Sequence, residues 1–289
     1  MTDQAALSSL SSAIEGVVAV ARPSIVSVHS RRWRASGFVW KAGLVITADE
    51  ALAEEGDVAI KLSDGTTRPA TIAGRDHTTD VALLRFDGAG LAPAKLISGV
   101  PALGSLAVVV AAESGNPTAA LGAVSLTGER WRSLRGGDID ARIELDVRLP
   151  HSHEGGLALN AAGEAFGMAV RGPRRVLVIP SATIERVAAR LETHGRVARG
   201  YLGLGLQPVK LDDGVGVMVM SVDKTGPSAA AGIRQGDVIV GWNNEKLSGV
   251  RSLLRALGPD SVGSVVDVAA RRADEPLTFK LTIGERPEK

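Results

Sequence analysis

The run His151-Ser152-His153-Glu154-Gly155-Gly156 places two imidazoles, a hydroxyl and a carboxylate side by side, ahead of two glycines. Imidazole with carboxylate suits zinc and other transition metals. Side chains two apart on an extended segment point to opposite faces, so His151 and His153 are expected as surface histidines and no metal site is expected. Ser152 with a neighbouring histidine as base fails on geometry, because adjacent residues do not reach the base–nucleophile alignment and no orienting acid follows. Paired carboxylates are the machinery of glycosidases, yet nothing else along the chain resembles a sugar cleft. His29, His77 and His194 sit apart and are expected to be isolated. The chain has no cysteine, which removes thiolate metal sites, cysteine nucleophiles and disulfides. No cofactor is expected.

These groups have to be held by elements the sequence also announces. Residues 7–21 carry Leu7, Leu10, Ile14, Val17 and Val18 at helical spacing, ended by Pro23. From there to about residue 180 the chain reads as short β-type runs, among them Phe38–Trp40, Leu44–Thr47, Val81–Phe86 and Val176–Ile179. Turn pairs such as Asp64-Gly65 and Ala162-Gly163 lie between them. Many short strands at such spacing indicate barrels or a sandwich. Ser181 is the expected N-cap of a helix over Ala182–Glu192, whose apolar face is Ile184, Val187, Ala188 and Leu191, with Gly195 as its stop. Beyond Arg199-Gly200 strands and two helices, Ser228–Gly232 and Val250–Leu257, describe a small α/β module. Leu253, Leu254 and Leu257 are expected to face inward. Three segments follow: 1–22 helical, 23–197 the strand-rich domain with its closing helix, and 198–289 the second module.

Composition narrows the partners. Apolar residues make up 45% of the 289, but only four Phe, four Trp and one Tyr are aromatic, so the cores must be aliphatic. A net charge of +1 without long charge runs lacks the electrostatic footprint of a nucleic-acid binder, and protein or small-molecule partners fit better. Glu15, Arg22 and Pro23 interrupt the first apolar stretch. No membrane span and no signal core are therefore expected, and a cytoplasmic location follows as the default.

Two sets of motifs resemble a known family. Leu202-Gly203-Leu204, Gly226-Pro227-Ser228-Ala229-Ala230 and the run from Ala231 to Ile239 look like a bacterial PDZ domain. Ser36-Gly37-Phe38-Val39, Thr79-Asp80-Val81-Ala82-Leu83-Leu84 and Gly122-Ala123-Val124-Ser125 resemble the trypsin-like domain that precedes such modules in the HtrA (Deg) proteases. The resemblance implies a mainly β fold: a trypsin-like double β-barrel with a triad in its cleft, followed by a PDZ domain. The family's Thr-Asn-x-His-Val reads Thr47-Ala48-Asp49-Glu50-Ala51 here, so the base position holds Glu50. Asp80 keeps the aspartate. The family's Asp-x7-Ser-Gly-Gly-Pro-Leu is matched without a gap from Asp146 to Glu154-Gly155-Gly156, so the nucleophile position holds Glu154. Ser152 stands where a glycine amide would complete the oxyanion hole.

A serine nucleophile needs an imidazole to take its proton and amides to hold the oxyanion. Glu154 has no hydroxyl, and Glu50 cannot reproduce an imidazole oriented by aspartate. The reading is a catalytically inactive HtrA-like pseudoprotease, a regulatory or scaffold protein acting through its PDZ domain on C-terminal or extended peptide segments. The alternatives are an HtrA serine endopeptidase using non-standard residues, and a metal- or ligand-binding scaffold built on the acidic cleft. Glu50, Asp80 and Glu154 in one cleft should repel. A raised pKa, a bound cation or a basic neighbour is expected to compensate, with Arg148 and His153 near the site in sequence. By resemblance, Tyr201, Leu202, Gly203 and Leu204 form the carboxylate-binding loop, and Leu204, Ile233 and Leu254 wall the apolar pocket. The family also implies a homo-oligomer, commonly a trimer built through the N-terminal end of the protease domain.

Overall fold

The structure is a computed structural model describing residues 2–54, 56–88, 90–212 and 214–287. The chain divides into two units, Met1–Val197 and Ala198–Lys289.

The first unit opens with helix α1 (Thr2–Ala21), which carries Glu15 as the one charged residue in its last two thirds. Val17 and Ala21 are buried and Ile14 and Val18 pack beside them, while Leu7, Leu10 and Val20 face solvent. Among the described residues, Gln4–Ser24 is the one helical stretch long and apolar enough, by length and composition, to cross a membrane. Glu15 and Arg22 are too few charges to bar it, and Pro23 lies just beyond α1, in the turn Arg22–Ser24. By length and composition alone this helix fits a span as well as it fits the helix of a soluble domain.

Six strands follow: β1 (Ile25–Ser30), β2 (Trp33–Lys41), β3 (Leu44–Thr47), β4 (Val58–Lys61), β5 (Thr67–Asp76) and β6 (Val81–Phe86). They close into an antiparallel barrel in the order β1-β2-β3-β6-β5-β4. The next strands are β7 (Leu106–Glu113), β8 (Asn116–Gly128), the short pair β9 (Trp131–Arg132) and β10 (Asp138–Ile139), β11 (Arg142–Leu145), β12 (Gly156–Asn160), β13 (Ala165–Arg171) and β14 (Val176–Pro180). All but β9 and β10 close a second barrel in the order β11-β14-β13-β12-β7-β8. The interiors are aliphatic as composition requires: Val28, Ile46, Ile60, Leu83, Ile143 and Leu157 are buried, and among the described residues of this unit the fully buried aromatics are Phe38 and Phe166.

Helix α2 (Ser181–His194) buries Ile184, Val187, Ala188 and Leu191, and Gly195 ends it in the left-handed conformation, its amide donating to the Leu191 carbonyl. Ser181 is not the cap. It is the first helical residue, Pro180 occupies the cap position, and the Ser181 hydroxyl turns to the Ala165 carbonyl.

In the second unit, β15 (Gly200–Tyr201) leads to β16 (Leu204–Leu211) and β17 (Gly214–Val222). After α3 (Pro227–Ala230) come β18 (Val238–Trp242), β19 (Glu245–Lys246) and α4 (Val250–Ala256). The chain ends with β20 (Val265–Arg272), β21 (Glu275–Thr282) and β22 (Gly284–Glu285). The main sheet runs β16-β17-β18-β20-β21, which leaves β16 at an edge. Val217, Val219, Ile239, Leu253 and Val268 fill its core.

Candidate functional site

Three short turns carry the positions expected for the triad. Glu50 follows β3, Asp80 immediately precedes β6 with φ +58°, and Glu154 precedes β12. The segment bearing Glu50 is anchored by its neighbour Asp49, which is buried. Asp49 accepts hydrogen bonds from Arg75 Nε and His77 Nδ1, both at 2.5 Å, while Arg75 also reaches the carbonyls of Asp49 and Ala53. Glu154 is clamped through its backbone. Its carbonyl accepts the Ser36 amide at 2.8 Å, and the next amide, of Gly155, donates to Ala169. Gly155 has φ +89°, and a Cβ there would lie 2.1 Å from the Ser36 carbonyl oxygen, so only glycine fits.

The three acids are brought together and mutually felt, with Asp49 as a fourth. The Asp80 Oδ1 accepts the Glu50 amide at 2.8 Å. Burial pushes the Asp80 carboxyl up to about 8 against that hydrogen bond, and the charges of Glu50, Asp49 and Glu154 push the same way. Burial also raises Glu154, opposed by His151 and Arg171. Their atoms lie 3.6 Å (His151 Nδ1) and 3.7 Å (Arg171 Nε) from its carboxylate. Glu50 is half exposed and ion-paired with Arg135 at 3.0 Å. The compensation thus comes from the raised pKa of Asp80, from Arg135 at Glu50, and from His151 and Arg171 at Glu154. Arg148 is exposed and has no ion pair with these acids among the described residues. His153 turns to Glu113, 4.0 Å away, and burial lowers its pKa.

The segment 151–153 is a 3-10 turn, not the extended strand assumed for the histidines. Its closing hydrogen bond runs from the Glu154 amide to the His151 carbonyl at 3.2 Å, and the Ser152 carbonyl lies 3.0 Å from the Ser36 hydroxyl. The Glu154 amide, which would have to donate to an oxyanion, is therefore already engaged. Among the described residues no group of three His, Asp or Glu side chains is placed to hold a metal ion.

Sequence reasoning missed most of what surrounds these acids. His77, expected to be isolated, lines the cleft and bonds to Asp49. Arg135, Arg142, Arg171, Arg174 and Arg175 line it too, so a cleft expected to be acidic is bordered by arginines. The signal available was the turn Arg171-Gly172-Pro173-Arg174-Arg175 between β13 and β14.

In the second unit the Tyr201–Leu204 loop has its carbonyls turned inward. Ser228 N donates to Leu202 O (3.1 Å) and Asp223 N to Gly203 O (2.8 Å). In a trans peptide the C=O and the following N–H point in opposite directions, so the Gly203 and Leu204 amides face away from those partners. Gly203 has φ +73°, and a Cβ on it would sit 3.2 Å from Asp223 Cβ and Gly226 Cα, so the loop's own packing requires glycine. The Tyr201 hydroxyl donates to Asp223 at 3.0 Å. Leu202 and Ile233 are core residues, 4% and 3% exposed. Leu204 is half-buried at the start of edge strand β16, and α4 packs near that strand. Leu254, expected inward, is 52% exposed; Leu253 takes the core position. An exposed leucine on α4 beside an unpaired strand edge is suited to walling a groove, whereas buried Ile233 can only support one.

The comparisons with known proteins agree with this architecture. Residues 35–168 match the trypsin-like peptidase domain family and residues 200–283 the PDZ domain family. The chain is 27% identical over 305 residues to the serine endoprotease DegS of Escherichia coli (strain K12), covering 92% of this chain and 84% of that protein. It is 28% identical over 274 residues to a probable periplasmic serine endoprotease, DegP-like, of Bartonella henselae, covering 87% of this chain and 53% of the relative. The solved serine endoprotease from Yersinia pestis superposes with a TM-score of 0.77 at 24% identity, over 95% of this chain and 98% of that one. The HtrA-type protease AlgW with decapeptide gives 0.77 at 21% identity, over 96% and 99%. The chain carries a trypsin-like peptidase domain followed by a PDZ domain and is homologous to the DegS and DegP HtrA proteases.

Proposed function

We propose that the chain is an HtrA-family protein that binds peptide segments through its PDZ domain and does not cleave them. One observation carries the reading: the nucleophile position holds Glu154, buried against His151 and Arg171, with no hydroxyl to attack and with its amide bonded to His151. Glu50 at the base position is ion-paired to Arg135. Loss of a triad member leaves only a background of about 10³–10⁴ over water, from binding and the oxyanion hole, and here the hole's amide is engaged as well. The names of the relatives favour a second reading, a working endoprotease. That reading would need a displaced nucleophile, for which Ser152 is the nearest hydroxyl in sequence. Incubating the purified full chain with unfolded casein separates the two. No fragments are expected, and steady casein cleavage that co-purifies with the chain would support the second reading.

The peptide side rests on the outward amides of Gly203 and Leu204, the free edge of β16 and exposed Leu254 on α4. Together they offer a strand to pair with, a pair of donors for a carboxylate and an apolar wall. A homo-oligomer is part of the same reading, with the exposed apolar residues Leu7 and Leu10 of α1 as its contact.

A further inference from the structure

The cleft of the first unit has a volume of about 970 Å³ and is bordered by arginines from three separate places. Arg135 comes from the β9–β10 loop, Arg142 from β11, and Arg171, Arg174 and Arg175 from the β13–β14 turn. Against these five stand three lining carboxyls, Glu50, Asp80 and Glu144. The arginines are not used up by their internal partners. Arg135, Arg142, Arg171 and Arg175 make ion pairs with Glu50, Glu144, Glu154 and Asp146, yet their side chains remain 54%, 50%, 45% and 47% exposed. A guanidinium has five donors, and the exposed part of each side chain is open to a further partner. Arg174 is exposed and has no ion pair among the described residues. Between the arginines the floor is apolar, formed by Leu126, Val170, Leu177 and Ile179.

We propose that this cleft is an anion-recognising site that holds an acidic polypeptide segment, with glutamate or aspartate side chains on the arginine rim and apolar side chains on the floor. Guanidinium forks match carboxylates in geometry and charge. Arginines dispersed around a wide opening call for several anionic groups on one ligand, rather than one small anion. A nucleic acid fits less well, because the floor is aliphatic and the chain's net charge is only +1. This site is separate from the peptide groove of the second unit and does not depend on it.

The test uses the full chain and a fluorescent peptide of alternating glutamate and valine, amidated at its C-terminus so that the PDZ loop meets no carboxylate. The same peptide with glutamine for glutamate is the control. The glutamate peptide is expected to bind about tenfold tighter or more, and to weaken as salt is raised from about 0.05 to about 0.5 M. Arg174→Glu with Arg175→Glu, both on an exposed turn, should lower its affinity about tenfold, Arg174→Gln should lower it less, and Lys280→Glu, exposed on β21 of the other unit, should leave it unchanged. Equal binding of glutamate and glutamine peptides, or a double variant that binds as wild type does, overturns the proposal. Tighter binding of a single-stranded oligonucleotide than of the glutamate peptide overturns it in favour of nucleic acid.

Discussion

Replacing Asp80 with asparagine should flatten a loss of stability that the wild-type protein shows between mildly acidic and mildly alkaline pH. The Asp80 carboxyl is raised in the folded chain from 3.8 to about 8, chiefly by burial. Between those two values the folded state keeps a proton that the unfolded state has released. The folded state binds more protons there, so the free energy of unfolding falls as pH rises, by up to about 1.4 kcal/mol per pH unit for one such group. Below 3.8 both states are protonated, above about 8 both are ionised, and the slope from this group vanishes at either end. Asparagine is nearly isosteric and tolerates the left-handed φ of +58° as aspartate does, so the backbone should persist. Urea unfolding of both proteins at about pH 5 and about pH 8 should show wild type losing a few kcal/mol more than the variant. Glu154→Gln should shift the curve in the same direction, since burial raises that carboxyl too. Parallel curves for wild type and Asp80→Asn would mean that Asp80 is solvated.

Capture of a peptide ending in an apolar residue should depend on its free carboxylate. The Gly203 and Leu204 amides face away from the bonds their neighbouring carbonyls make, and a pair of such amides is a nest for an anion. Amidating the peptide removes the charge, and binding to the full chain should fall about tenfold or more. Leu254 stands half exposed on α4, so Leu254→Asp should preserve the fold while setting a negative charge in the apolar groove. It should weaken the free-acid peptide by a similar factor, whereas Glu154→Ala in the first unit should not. Fluorescence anisotropy with acid and amide peptides reads both effects. Equal affinities for the two, or unchanged binding by Leu254→Asp, would move the peptide site elsewhere.

Strands whose cores are continuous apolar runs, such as Leu44–Thr47 and Val81–Phe86, were legible because burial on both sides writes itself into composition. The long strands β5 and β8 were not. Their residues are mostly half-exposed, and Pro69 and Pro117 interrupt them, so neither a period of two nor an apolar run stands out. The same division holds at the site. Glu50, Asp80 and Glu154 are readable through fixed spacing within local motifs. Arg135, Arg171 and the Asp49–Arg75–His77 cluster are set by contacts between segments distant in sequence, which no local pattern encodes. The exposure of Leu254 is likewise a matter of helix phase, because adjacent leucines on a short helix cannot both face the core.

The central claim is that no serine in the cleft of the first unit is an activated nucleophile. The most direct measurement is the intact mass of the purified full chain after exposure to a fluorophosphonate probe. The account predicts an unmodified mass, because Glu154 has replaced the hydroxyl and its amide is bonded to His151. Stoichiometric addition of one probe to a serine, Ser152 above all, would contradict it.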